Sequence, residues 1–162
     1  MRLFLFACIL LATFSAAQEL LWSDEFHSGS DLDSSVWAYD IGGGGWGNGE
    51  LQEYAEDNVR VQDGNLIITI QQEDDGTITS GKIRSDGKLE FMYGTVEAKI
   101  KVPDPSNGLW PSLWMLGASF PNVGWPGSGS FTIMQAGSAS ALALGEGKTS
   151  VGSAAFLSLI HI

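Results

Sequence analysis

An alternation of apolar and polar residues over 95–102 constrains the fold of this chain more than any other feature. The apolar positions fall on one side of an extended strand: Val96, Ala98, Ile100 and Val102. Because successive side chains of a strand point to opposite faces, the pattern predicts a half-buried antiparallel strand over 95–102. Leu66, Ile68 and Ile70 share the same period of two, so a second strand is expected there.

Asp-Gly pairs lie between or beside these patterns, at Asp63-Gly64, Asp75-Gly76 and Asp86-Gly87. Since Asp-Gly accepts a positive φ at both central turn positions, each pair favours a type I′ hairpin turn. The chain shows no convincing helical period of useful length. Short strands joined by regular turn signals therefore predict an all-β sandwich.

The first 17 residues have the pattern of a secretory signal peptide, with Arg2, an apolar run over 3–14 and a small-residue cleavage site at Ser15-Ala16-Ala17. The run is shorter than the roughly 20 residues that cross a bilayer. We therefore predict a signal peptide over 1–17 and a soluble, secreted protein. A buried N-terminal element is the alternative.

The net charge disfavours some classes of binding partner, and the cysteine content disfavours stabilisation by disulfides or cysteine-bound metals. The formal net charge of −11 disfavours nucleic acid and anionic membranes but not a neutral polysaccharide. The one cysteine, Cys8, lies in the predicted signal peptide, so we expect neither a disulfide nor a cysteine metal site in the secreted chain.

A Trp-, Pro- and Gly-containing tract precedes a short β-type segment near the C-terminus. Residues 108–117 read GLWPSLWMLG, Trp125-Pro126 follows, and residues 129–135 read GSFTIMQ. This order resembles the family 16 glycoside hydrolases, in particular the laminarinase-like β-1,3-glucanases. Their strand after the Trp-Pro carries Glu-x-Asp-x-x-Glu. Here Ser130, Thr132 and Gln135 stand at the positions of the nucleophile, the supporting Asp and the acid/base.

The resemblance implies a concanavalin A-like jelly-roll β-sandwich over 18–156. Sandwiches of this type run to about 200–250 residues, so the domain is expected to be truncated. Residues 157–162 look like a non-native tail, with a natural C-terminal strand as the alternative.

Retaining glycoside hydrolysis needs two carboxyl groups about 5–5.5 Å apart. On a regular strand residues i and i+2 share a face and i+5 points away, so the family's spacing requires a β-bulge with one extra residue. We expect the bulge to survive here. A glutamine cannot give up a proton, and a serine is a poor substitute for the carboxylate nucleophile.

The candidate sugar-stacking residues are Trp46, Trp110, Trp114 and Trp125. Sugar rings present a C–H face that packs on aromatic rings. The resemblance places Trp110 and Trp114 in the cleft, where i, i+4 spacing gives them one strand face. Trp46 and Trp125 lie in glycine-rich loops at its rim. Core packing is the alternative for these residues and the expectation for Trp22 and Trp37.

Several polar residues match family motifs. Asn48 and Glu50, in WGNGELQEY, are predicted either to contact sugar or to pin their loop. Lys82 stands at the position of a family Arg; a lysine keeps the positive charge but lacks the planar set of N–H donors of a guanidinium. Lys82 is predicted either to contact a sugar hydroxyl or to be an ordinary surface lysine. No cofactor is required. The resemblance allows a structural calcium ion, with Glu25 as one of its ligands.

These features predict a secreted β-1,3-glucan-binding protein without hydrolytic activity, whose partner is a β-glucan polysaccharide. Non-catalytic relatives in the resembling family act as glucan sensors in innate immunity. One alternative is an active retaining endo-β-1,3(4)-glucanase of carbohydrate metabolism, with its motif altered by sequence error. The other is a non-functional, decayed fragment.

Overall fold

The computed structural model describes residues 19–27, 29–104, 108–137 and 151–156. Their regular structure is almost entirely β, apart from one 3₁₀ turn, Glu56–Asn58, and one short helix, α1, Phe120–Val123. The strands are β1 Ala38–Tyr39, β2 Glu53–Tyr54, β3 Val59–Gln62, β4 Asn65–Ile68, β5 Gln71–Gln72, β6 Ile78–Ser80, β7 Ile83–Arg84, β8 Ser112–Leu116, β9 Ser130–Ala136 and β10 Val151–Phe156. In these ranges no helix is long and apolar enough to cross a bilayer.

The chain divides into two compact units. Of the described residues, the first unit comprises 19–27, 29–32 and 41–81, and the second comprises 33–40, 82–104, 108–137 and 151–156. The predicted signal peptide, 1–17, and the predicted tail, 157–162, lie outside the described residues.

In the first unit, β3 and β4 form an antiparallel hairpin that pairs Val59 with Ile68 and Gln62 with Asn65. The connecting residues Asp63 and Gly64 have φ of 52° and 70°, so the predicted type I′ turn is confirmed. The same prediction is wrong at Asp75 and Asp86, since only the glycine of each pair has a positive φ.

The buried side-chain amide of Asn58 connects two segments of the first unit. Asn58 is 2% exposed, and its Nδ2 donates to the carbonyl oxygen of Thr69 at 3.1 Å and to Thr79 Oγ1 at 3.2 Å. It therefore joins the segment after β4 to β6, the central strand of a sheet ordered β2-β6-β5. A Cβ on Gly81 would lie 2.3 Å from Val59 Cγ2, so glycine is required where the chain leaves β6.

The second unit contains the pair β1–β7 and an antiparallel sheet ordered β10-β9-β8. The loop between β8 and β9 carries α1 and closes on itself, because Gly117 N donates to the carbonyl oxygen of Gly129 at 3.3 Å. A Cβ on Gly117 would lie 2.1 Å from the carbonyl oxygen of Ser128. Glycine at position 117 thus permits the close approach that brings β9 back beside β8.

Two sequence predictions about the core are wrong. Residues 95–102 form no strand, and Val96 and Ile100 are exposed. A strand needs a neighbour for its N–H and C=O groups, and no ladder of the described residues includes this segment. Trp22 is 38% exposed and does not lie in a core, whereas Trp37 is half-buried. Ile68 and Ile70 are also exposed, and Ile70 lies beyond the end of β4.

Candidate functional site

The predicted bulge is present in β9. Across the β8–β9 ladder Leu113 pairs with Met134 and Trp114 pairs with Thr132, so Ile133 is an extra residue on β9. The β10 side shows the same irregularity in register between Gly152 and Ala154. The bulge therefore affects both ladders of the central strand.

The bulge brings Ser130, Thr132 and Gln135 to one face of the sheet. Their partners on β8 are Leu116, Trp114 and Ser112, respectively. These partners are alternate residues of one strand and so share a face. All three β9 residues are half-buried. The face thus offers two hydroxyls and an amide, which exchange hydrogen bonds but supply no carboxyl acid or nucleophile.

Three tryptophans of the second unit are well exposed: Trp110 is 46%, Trp114 43% and Trp125 60% exposed. Trp114 lies within β8, directly across from Thr132. Because β8 begins at Ser112, Trp110 precedes the strand, and the face that it was expected to share with Trp114 stays a prediction. Trp125 lies in the loop between β8 and β9.

Lys82 belongs to a charged cluster beside Trp114. Its Nζ lies 5.7 Å from the centroid of the Trp114 ring and 3.6 Å from Asp40 Oδ2. Arg84 Nε donates to Asp40 Oδ1 at 2.8 Å, and Arg84 also pairs with Asp86. Asp86 first, and then Asp40, raise the pKa of the Arg84 guanidinium.

Asp40 and Arg84 were missed by the sequence prediction. Arg84 follows Lys82 by two residues, so the i, i+2 spacing of the two cations was visible in the sequence. The partner was not, because β1 is only two residues long and its pairing with β7 depends on the tertiary fold.

In the first unit, Glu50 is surrounded by hydrogen-bond donors. Its Oε1 accepts from Asn48 Nδ2 at 3.0 Å, and its Oε2 accepts from Gln52 Nε2 at 2.9 Å and from Tyr54 Oη at 2.6 Å. Both carboxylate oxygens are therefore engaged within the loop. Of the two roles left open for this pair, loop pinning is the one that these contacts support.

Trp46 is half-buried on the same loop. Its indole Nε1 donates to the carbonyl oxygen of Gly42 at 3.0 Å, and its ring meets Tyr54 edge-on with centroids 5.4 Å apart. These contacts support a packing role for Trp46. The structure therefore groups Trp46, Asn48 and Glu50 in the first unit, and places Lys82, Trp110, Trp114, Trp125 and the β9 residues in the second.

The calcium prediction gains no geometric support at Glu25, which is exposed. Among the described residues no three or more His, Cys, Asp or Glu side chains cluster as metal ligands do.

Comparison with known proteins places the chain in a family. Residues 12–133 match the family described as "Beta-glucan synthesis-associated protein SKN1/KRE6/Sbg1". The chain belongs to this family. The resemblance to laminarinase-like members of glycoside hydrolase family 16 is likewise confirmed by relatives and by solved structures.

Three curated relatives show the kinds of protein to which this chain is similar. The clotting factor G alpha subunit of Tachypleus tridentatus is 40% identical over 121 residues, which cover 72% of this chain and 17% of the relative. The beta-glucanase of Rhodothermus marinus is 39% identical, over 72% of this chain and 43% of the enzyme. The beta-1,3-glucan-binding protein of Penaeus monodon is 36% identical over 58 residues, which cover 36% of this chain and 16% of that protein.

Solved structures confirm the predicted all-β jelly-roll class. The family 16 mixed-linkage glucanase of Bacteroides ovatus, in complex with its product, superposes with a TM-score of 0.74 at 36% identity, covering 84% of this chain and 56% of that one. The second structure is a glutamate-to-serine mutant of a non-specific endo-β-1,3(4)-glucanase, which was co-crystallised with a cellotriosyl-glucose and presents a cellobiosyl-glucose at its active site. It superposes with a TM-score of 0.62 at 35% identity, covering 75% of this chain and 51% of that one. The SKN1/KRE6/Sbg1 chain thus spans about half the length of these structures.

Proposed function

We propose that this protein is a secreted β-1,3-glucan-binding protein that does not hydrolyse its ligand. One observation carries the proposal: Ser130, Thr132 and Gln135 share a sheet face with Trp114, and none of the three has a carboxyl group. The bulge that orients the catalytic acids of an active relative is retained, but the acids themselves are replaced.

Loss of both carboxyl groups removes the attacking oxyanion and the proton donor together. Removing one member of such a pair costs several orders of magnitude in rate, and binding energy alone does not replace it. Glu50, considered as a substitute acid, already accepts three hydrogen bonds from its own loop. Asp40 is paired with Lys82 and Arg84.

Sugar binding does not require those acids. An exposed indole such as Trp114 packs against the C–H face of a sugar ring, and the Gln135 amide can donate to a glycosidic oxygen. The glutamate-to-serine glucanase mutant, which presents an oligosaccharide at its active site, supports retention of ligand after a substitution of this kind. The match to a glucan-binding protein further favours a recognition role.

The proposal is tested by sedimentation with insoluble β-1,3-glucan. We expect the wild-type protein to sediment with the glucan and Trp114→Ala to remain largely in the supernatant. Phe131→Ala is the matched control, because Phe131 is 46% exposed on the neighbouring strand but faces away from Thr132. A wild-type protein that stays in the supernatant would overturn the proposal, and equal losses for the two variants would overturn the role assigned to Trp114.

A further inference from the structure

Asp40 and Lys82 are placed next to each other by the backbone. The β1–β7 ladder pairs Tyr39 with Ile83, and Asp40 N then donates to the carbonyl oxygen of Lys82 at 2.9 Å. Directly opposed residues of antiparallel strands have neighbouring side chains. The 3.6 Å contact between the Asp40 carboxylate and the Lys82 ammonium follows from this register.

The pair is shielded from solvent on the Asp40 side. The Asp40 side chain is 16% exposed and that of Lys82 is 21% exposed. Arg84 Nε, two residues after Lys82, contacts the other carboxylate oxygen of Asp40 at 2.8 Å. Asp40 is thus fixed by one cation while it contacts another.

The far side of the Lys82 ammonium meets the Trp114 ring. At 5.7 Å from the ring centroid, the cation is within the range of a favourable cation–π interaction. An indole has two faces, and a sugar needs only one of them. Because Trp114 is 43% exposed, a cation held against one face still leaves indole surface open for stacking, and the contact restricts rotation of the ring.

We propose that Asp40 is a positioning residue of the glucan site: its carboxylate holds the Lys82 ammonium against one face of Trp114 and so presents the other face to the sugar. The proposal rests on the proposed function, since it assigns to Trp114 a role in glucan binding. It adds a residue that does not itself touch the ligand.

The test combines a probe of the ring with a binding measurement. The full chain is labelled with 5-fluorotryptophan, and the Trp114 ¹⁹F resonance is assigned by its loss in Trp114→Phe. We expect Asp40→Asn and Lys82→Met each to shift this resonance and to weaken binding of a soluble β-1,3-glucan oligosaccharide by about 2- to 10-fold. The double variant should bind no more weakly than Lys82→Met alone, and Asp40→Glu should restore most of the affinity.

Asp86→Asn is the matched control, because it removes another acid from Arg84 without touching Lys82. It should leave the Trp114 resonance and the affinity unchanged. Lys82→Met leaves the Asp40–Arg84 contact in place, so it tests the proposal even if Asp40→Asn fails to fold. An unshifted Trp114 resonance in Lys82→Met, or equal effects of Asp40→Asn and Asp86→Asn, would overturn it. A wild-type protein that binds no oligosaccharide would instead overturn the proposed function, while the resonance shifts would still decide the positioning of Trp114.

Discussion

Trp114 lies directly across the β8–β9 ladder from Thr132, and the extra residue Ile133 follows immediately on β9. Because of that one residue, Gln135 returns to the face that carries Ser130 and Thr132. Three half-buried side chains therefore share one sheet face, and none of them carries a carboxyl group. Under the proposed function, glucan binding depends on other side chains than catalysis, so mutation should separate the two.

Restoring the acids should restore hydrolysis. In the triple variant Ser130→Glu, Thr132→Asp, Gln135→Glu, three carboxyl groups are placed on one face, including the pair that retaining hydrolysis needs. We expect release of reducing ends from laminarin at a rate well above that of the wild-type protein. The control is Ser130→Glu with Thr132→Asp alone, which lacks the proton donor and should remain inactive. A triple variant that folds and binds laminarin without cutting it would argue against a preserved cleft geometry.

The loop between β8 and β9 should not accept a side chain at position 117. In Gly117→Ala the added Cβ would lie 2.1 Å from the Ser128 carbonyl oxygen, so backbone must move. We expect a loss of about 1–3 kcal/mol in the free energy of unfolding, measured in urea. Gly127→Ala, in the same loop, has its nearest neighbour at 3.3 Å and should cost less. The close approach is not needed for stability if the two variants unfold alike.

Removing the buried amide of the first unit should be costly. Asn58→Ala removes the donor to the Thr69 carbonyl, while the Thr79 hydroxyl keeps its hydrogen bond to Glu73 Oε1, so we expect a loss of about 1–3 kcal/mol of stability by urea unfolding. Arg60→Ala, two residues along, removes an exposed contact to Thr69 Oγ1 and should stay within about 0.5 kcal/mol of wild type. Similar urea-unfolding midpoints for the two variants would show that the hydrogen bonds of Asn58 do not hold β6 in place.

Features that depend on neighbouring residues were predictable from the sequence. The turn at Asp63-Gly64 follows from the positive φ that both residues tolerate. The β9 bulge was expected because the family resemblance requires positions 130, 132 and 135 to share one face, which their spacing on a regular strand does not allow.

Features that depend on distant pairing were not predictable. Residues 95–102 have the right alternation, but a strand forms only where another segment supplies hydrogen bonds. The contact of Asp40 with Lys82 joins residues far apart in sequence through two-residue strands. Asn58 gives no sequence signal of burial, since asparagine is mostly exposed, and its position becomes clear only from its partners.

The most direct measurement follows one sample of wild-type protein with laminarin and records both the bound fraction and the reducing ends released over time. We expect saturable binding, and a reducing-end signal that stays at the level of a protein-free blank. Binding accompanied by a steady, protein-dependent release of reducing ends would contradict the conclusion that Ser130, Thr132 and Gln135 leave a site that holds glucan but cannot cleave it.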